Sequence, residues 1–299
     1  MRRDARTAVF PGPSLTSDGT RGGGRLAEGA RSTLPGMTRH HTPQTDHPPT
    51  RTQPVTGSDI GVLLGVWAHP DDEAYLSAGL MATVRTAGGR VVVVTATRGE
   101  HGTSDPQAWP PQRLARIRER ELAASLAALD VNEHHWLGYP DGELHRVPVV
   151  RAAARLAELI DEVRPDTIVT FGPDGLTGHS DHQAISAWVD AASTSTGVTS
   201  RVWHATLTPG FHAEWADVSA AAGLWMPGAR PPSTPTDRLA FAVDCDDDLL
   251  DRKLVALRAH ASQTAPLIEQ LGIERYSRWW ATESFAAAHE VSTAKDIAA

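Results

Sequence analysis

The chain has 299 residues, of which 40% are hydrophobic, and this is sufficient for one large globular domain or two small ones. Its formal charge is −8, although residues 1–58 hold eight Arg against four Asp or Glu, so the remainder is strongly acidic. Because binding to phosphate backbones requires clustered cations, this acidic body argues against nucleic acid as the main partner.

The composition also bears on the compartment. Cys245 is the only cysteine, which excludes an intramolecular disulfide, and we interpret it as a small apolar residue near a strand end rather than a nucleophile. The first 30 residues lack the apolar run of a signal peptide, and no stretch has the length of a membrane-spanning helix. We therefore expect a soluble cytoplasmic protein without a membrane partner.

The chain divides into three predicted parts. Residues 1–58 are rich in Gly, Pro, Thr, Ser and Arg without sustained periodicity, which predicts a disordered low-complexity tail. Its histidines, His40, His41 and His47, are interpreted as solvated rather than as metal ligands. Residues 59–290 are predicted to form the folded domain, and residues 291–299 a short C-terminal tail.

From Gly61 onward, apolar runs alternate with helical patterns. The predicted strands are 62–67, 91–96, 135–137, 167–171, 202–207 and 239–243. The predicted helices are 77–86, 112–129, 147–163, about 181–192, and 249–260. This alternation predicts an α/β fold with a Rossmann-like open, mostly parallel sheet flanked by helices.

Residues 211–237 interrupt the alternation with a Pro-rich segment that is too long for a simple connector. Such a segment is typical of a lid or a substrate wall, and a surface insertion explains it equally well. Beyond it, Trp279 and Trp280 begin a last short segment that we expect to pack on the body of the domain.

A polar cluster, A-H-P-D-D-E at residues 68–73, follows the first predicted strand. His69 and Asp72 are three residues apart, so both side chains can face one point if the backbone turns there. Imidazole and carboxylate groups bind zinc or a similar divalent ion, and a catalytic site uses three protein ligands. We predict that His69 and Asp72 are metal ligands, and that Asp71 lies close to the metal-bound water, where a general base belongs.

A second polar cluster, H-S-D-H at residues 179–182, follows the predicted strand 167–171. Of its two histidines, one could bind the metal and the other could donate a hydrogen bond to a developing oxyanion. Open α/β sheets form their ligand sites at the carboxyl ends of strands, so the two clusters together predict one metal site.

The motifs of this region resemble those of the PIG-L/LmbE-like zinc-dependent deacetylases. They occur in the family's order, as A-H-P-D-D-E at 68–73, T-R-G-E at 97–100, R-E-R-E at 118–121, G-Y-P-D-G-E-L at 138–144 and G-H-S-D-H at 178–182. The family usually has proline where this chain has Ser180, a departure that removes no ligand. The resemblance implies the LmbE-like fold.

The resemblance also implies roles for individual residues. It implies zinc binding by His69, Asp72 and His182, and the same ligand types also suit Fe(II). It implies that Asp71 is the general base, that His179 stabilises the oxyanion, and that Asp181 orients or tunes an active-site histidine.

Two further residues are candidates for contacts with substrate. The resemblance implies that Arg118 clamps sugar hydroxyls or a phosphate, for which its fork of donors is suited, although an exposed charge on the helix is the alternative. Asp141 precedes Gly142 as in an ordinary turn, but carbohydrate hydroxyls are commonly held by such a carboxylate, and both interpretations stay open. We interpret Glu100 and Glu121 as supporting residues, and Glu73 as a residue in the first turn of a helix.

The expected activity is hydrolysis of an N-acetyl or other N-acyl group on a small molecule that contains an amino sugar such as N-acetylglucosamine. Two alternatives stay open. The first is a mycothiol-conjugate-type amidase of the same family, which cuts a larger amide. The second, from another class, is a non-catalytic metal- or sugar-binding protein that has the fold without the chemistry.

Overall fold

The computed structural model describes residues 56–288. The predicted tails therefore lie outside the described residues, with the exception of residues 56–58. Gly57 and Ser58 begin a short helix, α1 (Gly57–Ile60), and so belong to the folded body rather than to the predicted tail. Two features explain why these residues are helical. Asp59 accepts the backbone N–H of Thr56 in a capping box, and Ile60 is fully buried.

One mixed sheet lies at the centre of the described part of the chain. Its strands are β1 (Leu63–Trp67), β2 (Val91–Thr95), β3 (Glu133–Trp136), β4 (Thr167–Phe171), β5 (Arg201–Thr206), β6 (Phe241–Asp244) and β7 (Thr282–Ala287). Their order across the sheet is β3-β2-β1-β4-β5-β7-β6. Strands β1 to β5 pair in parallel, whereas β7 runs antiparallel to both β5 and β6.

Helices surround this sheet. They are α2 (Asp72–Thr86), α3 (Pro111–Ala128), α4 (Val149–Val163), α5 (Ser180–Ser195), α6 (Pro209–Ala221), α7 (Asp247–Ala259), α8 (Ala261–Leu271) and α9 (Ile273–Trp279). The central strands β1, β2 and β4 are buried along their whole length, as expected for parallel strands covered on both faces. None of the described helices combines the length and the apolar character needed to cross a membrane.

The predicted α/β fold with a mostly parallel sheet is confirmed, with differences at particular elements. Helix α2 begins at Asp72, five residues before the predicted start, because the polar cluster itself forms its first turn. The segment 211–237 contains most of α6. The segment after Trp280 is a sheet strand, β7, and α8 continues through Pro266 although proline normally interrupts a helix.

The sheet order places both polar clusters at one point. From β1 the chain moves outward through β2 and β3, and from β4 it moves outward on the other side of β1. At such a reversal the loops beyond the carboxyl ends of the two neighbouring strands diverge and leave a crevice. Residues 68–73 follow β1, and residues 179–182 follow the loop after β4, so both clusters border this crevice.

Candidate metal and catalytic site

The structure brings together the three predicted metal ligands, His69, Asp72 and His182, with one donor atom of each within 4.8 Å of the others. Nδ1 of His69 lies 3.3 Å from Nε2 of His182. The Asp72 carboxylate lies 3.6 Å from the first nitrogen and 3.5 Å from the second. Zinc–nitrogen bonds of 2.0–2.1 Å in a tetrahedral site place two ligand nitrogens about 3.3 Å apart, so this spacing fits such an ion.

The hydrogen bonds of the two imidazoles direct an unprotonated nitrogen toward this common point. Nδ1 of His182 lies 3.0 Å from the carbonyl oxygen of Gly175, which can only accept, so the proton is on Nδ1 and Nε2 carries the lone pair. Nε2 of His69 lies 3.1 Å from Asp141 and 3.3 Å from Asp181, so in the neutral ring the proton is on Nε2 and Nδ1 carries the lone pair. Both histidines therefore suit a cation.

Local structure explains these positions. Asp72 is the first residue of α2, and its carboxylate accepts the backbone N–H of His69 at 2.8 Å, which fixes the turn between the two ligands. His182 lies in the first turn of α5, and its ring stacks on Phe171 at the end of β4 with centroids 3.9 Å apart. The turn and the stack hold the ligands before any ion is bound.

Burial opposes charge on all three predicted ligands, but at His69 the carboxylates of Asp141, Asp181 and Asp72 outweigh it and raise the pKa well above its usual value. Burial raises the pKa of Asp72 to about 7, and the neighbouring Asp71 adds to the rise although His69 opposes it. Burial also lowers the pKa of His182 well below its usual range, and the nearby His179 and His69 act in the same direction. A cation at their centre would favour the anionic carboxylate and the neutral imidazole, which are the forms that bind metals.

Asp71, the predicted general base, lines the same cavity as the ligands and has a backbone φ of 113°. Its carboxylate accepts from Nη2 of Arg118 at 3.1 Å. Burial raises the pKa of Asp71, and the positive charge of Arg118 opposes this rise. A buried carboxylate with a raised pKa is suited to accept a proton near neutral pH.

His179 also lines the cavity, and it precedes the first residue of α5. Its Nδ1 accepts the backbone N–H of Asp181 at 3.1 Å, so in the neutral ring the proton is on Nε2. Burial lowers the pKa of His179 to about 4, with the charge of His69 in support, which keeps the ring neutral at pH 7. Ser180 occupies the first position of the helix, where proline is also favoured, so the departure from the family motif leaves the helix start intact.

Asp181 is fully buried and contacts His69, as an orienting residue would. Its carboxylate also accepts the backbone N–H groups of Gly142, at 2.7 Å, and Leu144, at 3.1 Å. Burial acts to raise its pKa, but the hydrogen bond and charge of His69 outweigh this and hold it below its usual value. One donor atom each of His69, His179 and Asp181 also lie within 4.8 Å of one another, but most donor atoms of this group already have these protein partners.

Arg118 and Asp141, the two candidates for substrate contacts, line the cavity, but both have partners within the protein. Arg118 is 3% exposed and donates to the carbonyl oxygens of Gly99 and Pro70 as well as to Asp71. A Cβ atom on Gly99 would collide with its guanidinium, which explains the glycine of T-R-G-E. Asp141 contacts His69 and accepts the backbone N–H of His101 at 2.8 Å. Their contacts with substrate stay predictions.

The cavity has a volume of about 470 Å³ and a lining of both polar and apolar side chains. The polar lining includes His69, Asp71, Asp72, Arg118, Asp141, His179 and His182. The apolar lining includes Leu76, Trp109, Leu224, Leu267, Trp279 and Trp280. Leu224 belongs to the segment 211–237, so this segment contributes a wall of the cavity rather than only a surface insertion.

Several residues of the site were not predicted from the sequence, or were assigned a different environment. Glu73 lies in the first turn of α2 as expected, but it is fully buried and bound to His260, which was predicted only as the last residue of a helix. The supporting residues Glu100 and Glu121 accept backbone N–H groups of Asp141 and Ser262. Cys245 is buried at the end of β6, and burial raises the pKa of its thiol to about 12.

The part of the chain that holds most of these residues matches a known protein family. Residues 64–193 match the family model described as PIG-L: GlcNAc-PI de-N-acetylase. The 1D-myo-inositol 2-acetamido-2-deoxy-alpha-D-glucopyranoside deacetylase of Acidothermus cellulolyticus is 34% identical over 233 residues, which cover 68% of this chain and 80% of that protein.

Solved structures share the fold. The N,N'-diacetylchitobiose deacetylase from Pyrococcus horikoshii is 22% identical, with a TM-score of 0.54 over 80% of this chain and 90% of that chain. The 4-carboxy-2-hydroxymuconate hydratase GalB from Pseudomonas putida KT2440 is 16% identical, with a TM-score of 0.55 over 78% and 98%. At these identities the likeness is one of fold alone, and the fold carries different reactions. The family model and the relative at 34% identity show more: this chain belongs to the PIG-L family.

Proposed function

We propose that this protein is a metal-dependent hydrolase that removes an N-acetyl group from a small molecule containing an amino sugar, releasing acetate and a free amine. The observation that carries the proposal is the convergence of His69, Asp72 and His182 on one point, beside Asp71 in the same cavity. The relative from Acidothermus cellulolyticus is described as a deacetylase of an acetylated amino-sugar inositol glycoside, which supports this substrate class.

The ligand set supports zinc as the metal, with Fe(II) as the alternative. When bound, the ion would supply Lewis acidity toward the amide carbonyl and toward water. The chain's part is to present two neutral imidazoles and one carboxylate in the required geometry. Asp181 contributes by accepting the Nε2–H of His69, and the Asp141 carboxylate lies 3.1 Å from the same nitrogen.

The remaining groups handle the proton and the developing charge. Asp71 would accept a proton from the attacking water and later deliver it to the leaving nitrogen, so that the amine departs neutral. Arg118 holds the Asp71 carboxylate in place during both transfers. Nε2–H of the neutral His179 would donate to the carbonyl oxygen, and this hydrogen bond strengthens as the oxygen gains negative charge.

The proposal is tested with purified, zinc-loaded protein and a panel of N-acetylglucosaminides, by measuring amine release. Replacing Asp71 with Asn keeps the side-chain volume and removes the base. We expect Asp71→Asn to lower kcat by a factor of about 10²–10⁴ while the zinc content stays unchanged. Near-normal deacetylation by this variant would refute the assignment of the base.

The apolar side chains in the cavity lining favour the second candidate, a mycothiol-conjugate-type amidase. Trp279, Trp280 and Leu267 are buried and line the cavity, and a bulky amide could place an apolar group against them. Comparing kcat/KM for N-acetylglucosaminides with that for bulky cysteinyl amides separates the two activities. Stoichiometric zinc without turnover of either class would instead support a non-catalytic binding protein. A cytoplasmic location and the lack of a nucleic acid partner stay predictions.

A further inference from the structure

A chain of buried polar groups connects the backbone of Asp71 to His260. The backbone N–H of Asp71 donates to Oε2 of Glu73 at 2.9 Å. The other oxygen of that carboxylate lies 2.7 Å from Nε2 of His260 and accepts the hydroxyl of Ser125 at 3.1 Å. Glu73, Ser125 and His260 are all fully buried, and none of them has a part in the hydrolysis described above.

Asp71 requires such support because its φ of 113° lies in a region that residues other than glycine rarely adopt. A residue keeps such a backbone conformation only where contacts with the surrounding structure fix it. The peptide unit between Pro70 and Asp71 is held at both ends, since Arg118 donates to its carbonyl oxygen and Glu73 accepts its N–H. The orientation of this peptide determines where the Asp71 carboxylate points.

His260 lies closer to the Glu73 carboxylate than Ser125 does, at 2.7 Å against 3.1 Å. It lies between α7 and α8, where its backbone carbonyl accepts the N–H groups of Gln263 and Thr264 at 2.9 Å each. Because a carboxylate oxygen can only accept, Nε2 of His260 carries the proton and donates to it. Nδ1 has no hydrogen-bond partner among residues 56–288, so the contact with Glu73 is the one interaction that its ring nitrogens make there.

We propose that Glu73 and His260 are positioning residues for Asp71, an inference that rests on the proposed function because it takes Asp71 as the general base. His260 fixes the Glu73 carboxylate, Glu73 fixes the backbone N–H of Asp71, and the held peptide directs the Asp71 carboxylate toward the attacking water. Neither Glu73 nor His260 lines the cavity, so neither contacts substrate. Substitution of either residue should therefore lower kcat and leave KM unchanged.

The experiment compares His260→Ala, His260→Gln and a control in the zinc-loaded, full-length protein. Alanine removes the donor to Glu73, whereas the glutamine amide nitrogen can take the place of Nε2. The control is Thr264→Val, which removes a buried hydroxyl that donates to the carbonyls of Leu257 and His260 but does not contact Glu73. It perturbs the same helix junction and leaves the link to Asp71 intact.

We expect His260→Ala to lower kcat by about 10- to 100-fold, the size of effect that displacement of a reacting group produces. KM and the zinc bound per chain should stay unchanged, His260→Gln should recover most of the loss, and Thr264→Val should keep near wild-type kcat. If His260→Ala does not fold, Glu73→Gln provides the same test, because its amide can no longer accept from both Asp71 and His260.

Three results would overturn the inference: an unchanged kcat in His260→Ala, a loss confined to KM or to zinc content, or an equal loss of kcat in Thr264→Val. Failure of the proposed function looks different, because the wild-type protein itself would then hydrolyse no N-acyl substrate. A wild-type protein that is active, beside a fully active His260→Ala variant, would reject the positioning role alone.

Discussion

The ion pair between Lys253 and Glu283 is fully buried, and its disruption should destabilise the fold strongly. Nζ of Lys253 lies 2.7 Å from the Glu283 carboxylate, and both side chains are 0% exposed. Lys253 also donates to the carbonyl of Tyr75, and Glu283 accepts the N–H groups of Gly79 and Leu80. The pair is thus bound to the backbone of α2, the helix that begins with the proposed metal ligand Asp72.

The expected loss of unfolding free energy depends on which buried groups each substitution leaves without a partner. Lys253→Met leaves the Glu283 carboxylate buried with two backbone donors, and removing one partner of a buried pair costs about 3–5 kcal/mol. Glu283→Met should cost more, because it leaves the Lys253 ammonium with one backbone acceptor and also deprives Gly79 and Leu80 of theirs. The double variant should recover part of the loss, since no uncompensated charge then remains.

Urea unfolding of the three variants, followed by circular dichroism, measures these differences. Free energies of unfolding of whole domains are about 5–15 kcal/mol, so either single loss is a large fraction of the total. The reasoning fails if both single variants lose less than about 1 kcal/mol, the value of an exposed pair. It also fails if Lys253→Met is the more destabilising of the two.

Two further predictions concern the site. Arg118→Met removes the positive charge that opposes the raised pKa of Asp71, so the acidic limb of the kcat/KM profile should move to higher pH; an unmoved limb would contradict the assignment of Asp71 as the base. Asp181→Asn replaces an anionic acceptor of the His69 Nε2–H by a neutral amide, so zinc affinity should fall by about 10- to 100-fold in competition with a chelator. An affinity equal to that of the wild-type protein would show that Asp181 does not tune His69.

The sequence predicted the central sheet well because its signals are local. Strands β1, β2 and β4 are buried on both faces, so each is a continuous apolar run with turn residues beside it. Strand β7 has no such signal: its sequence T-E-S-F-A-A contains small and charged residues. Its place depends on pairing with β5 and β6, which are far from it in the chain, and so it was missed.

The site also has contacts that are local in sequence and contacts between distant residues, and only the local ones could be predicted. His69 and Asp72 are three residues apart and lie on one turn, so their proximity follows from local geometry. The contacts of His69 with Asp141 and of Glu73 with His260 join residues that are distant in sequence. Side-chain types alone did not indicate that these carboxylates face imidazoles rather than sugar hydroxyls or solvent.

The sequence by itself determined the α/β class, the two polar clusters, and the residue types that bind a metal, because periodicity and short spacings are properties of the local chain. Only the tertiary structure decided which side chains surround the predicted metal site. It buried Glu73 against His260, placed Leu224 in the cavity wall, and held Arg118 against Asp71. These arrangements depend on packing between distant elements, where burial changes the pKa of a group and fixes its partners.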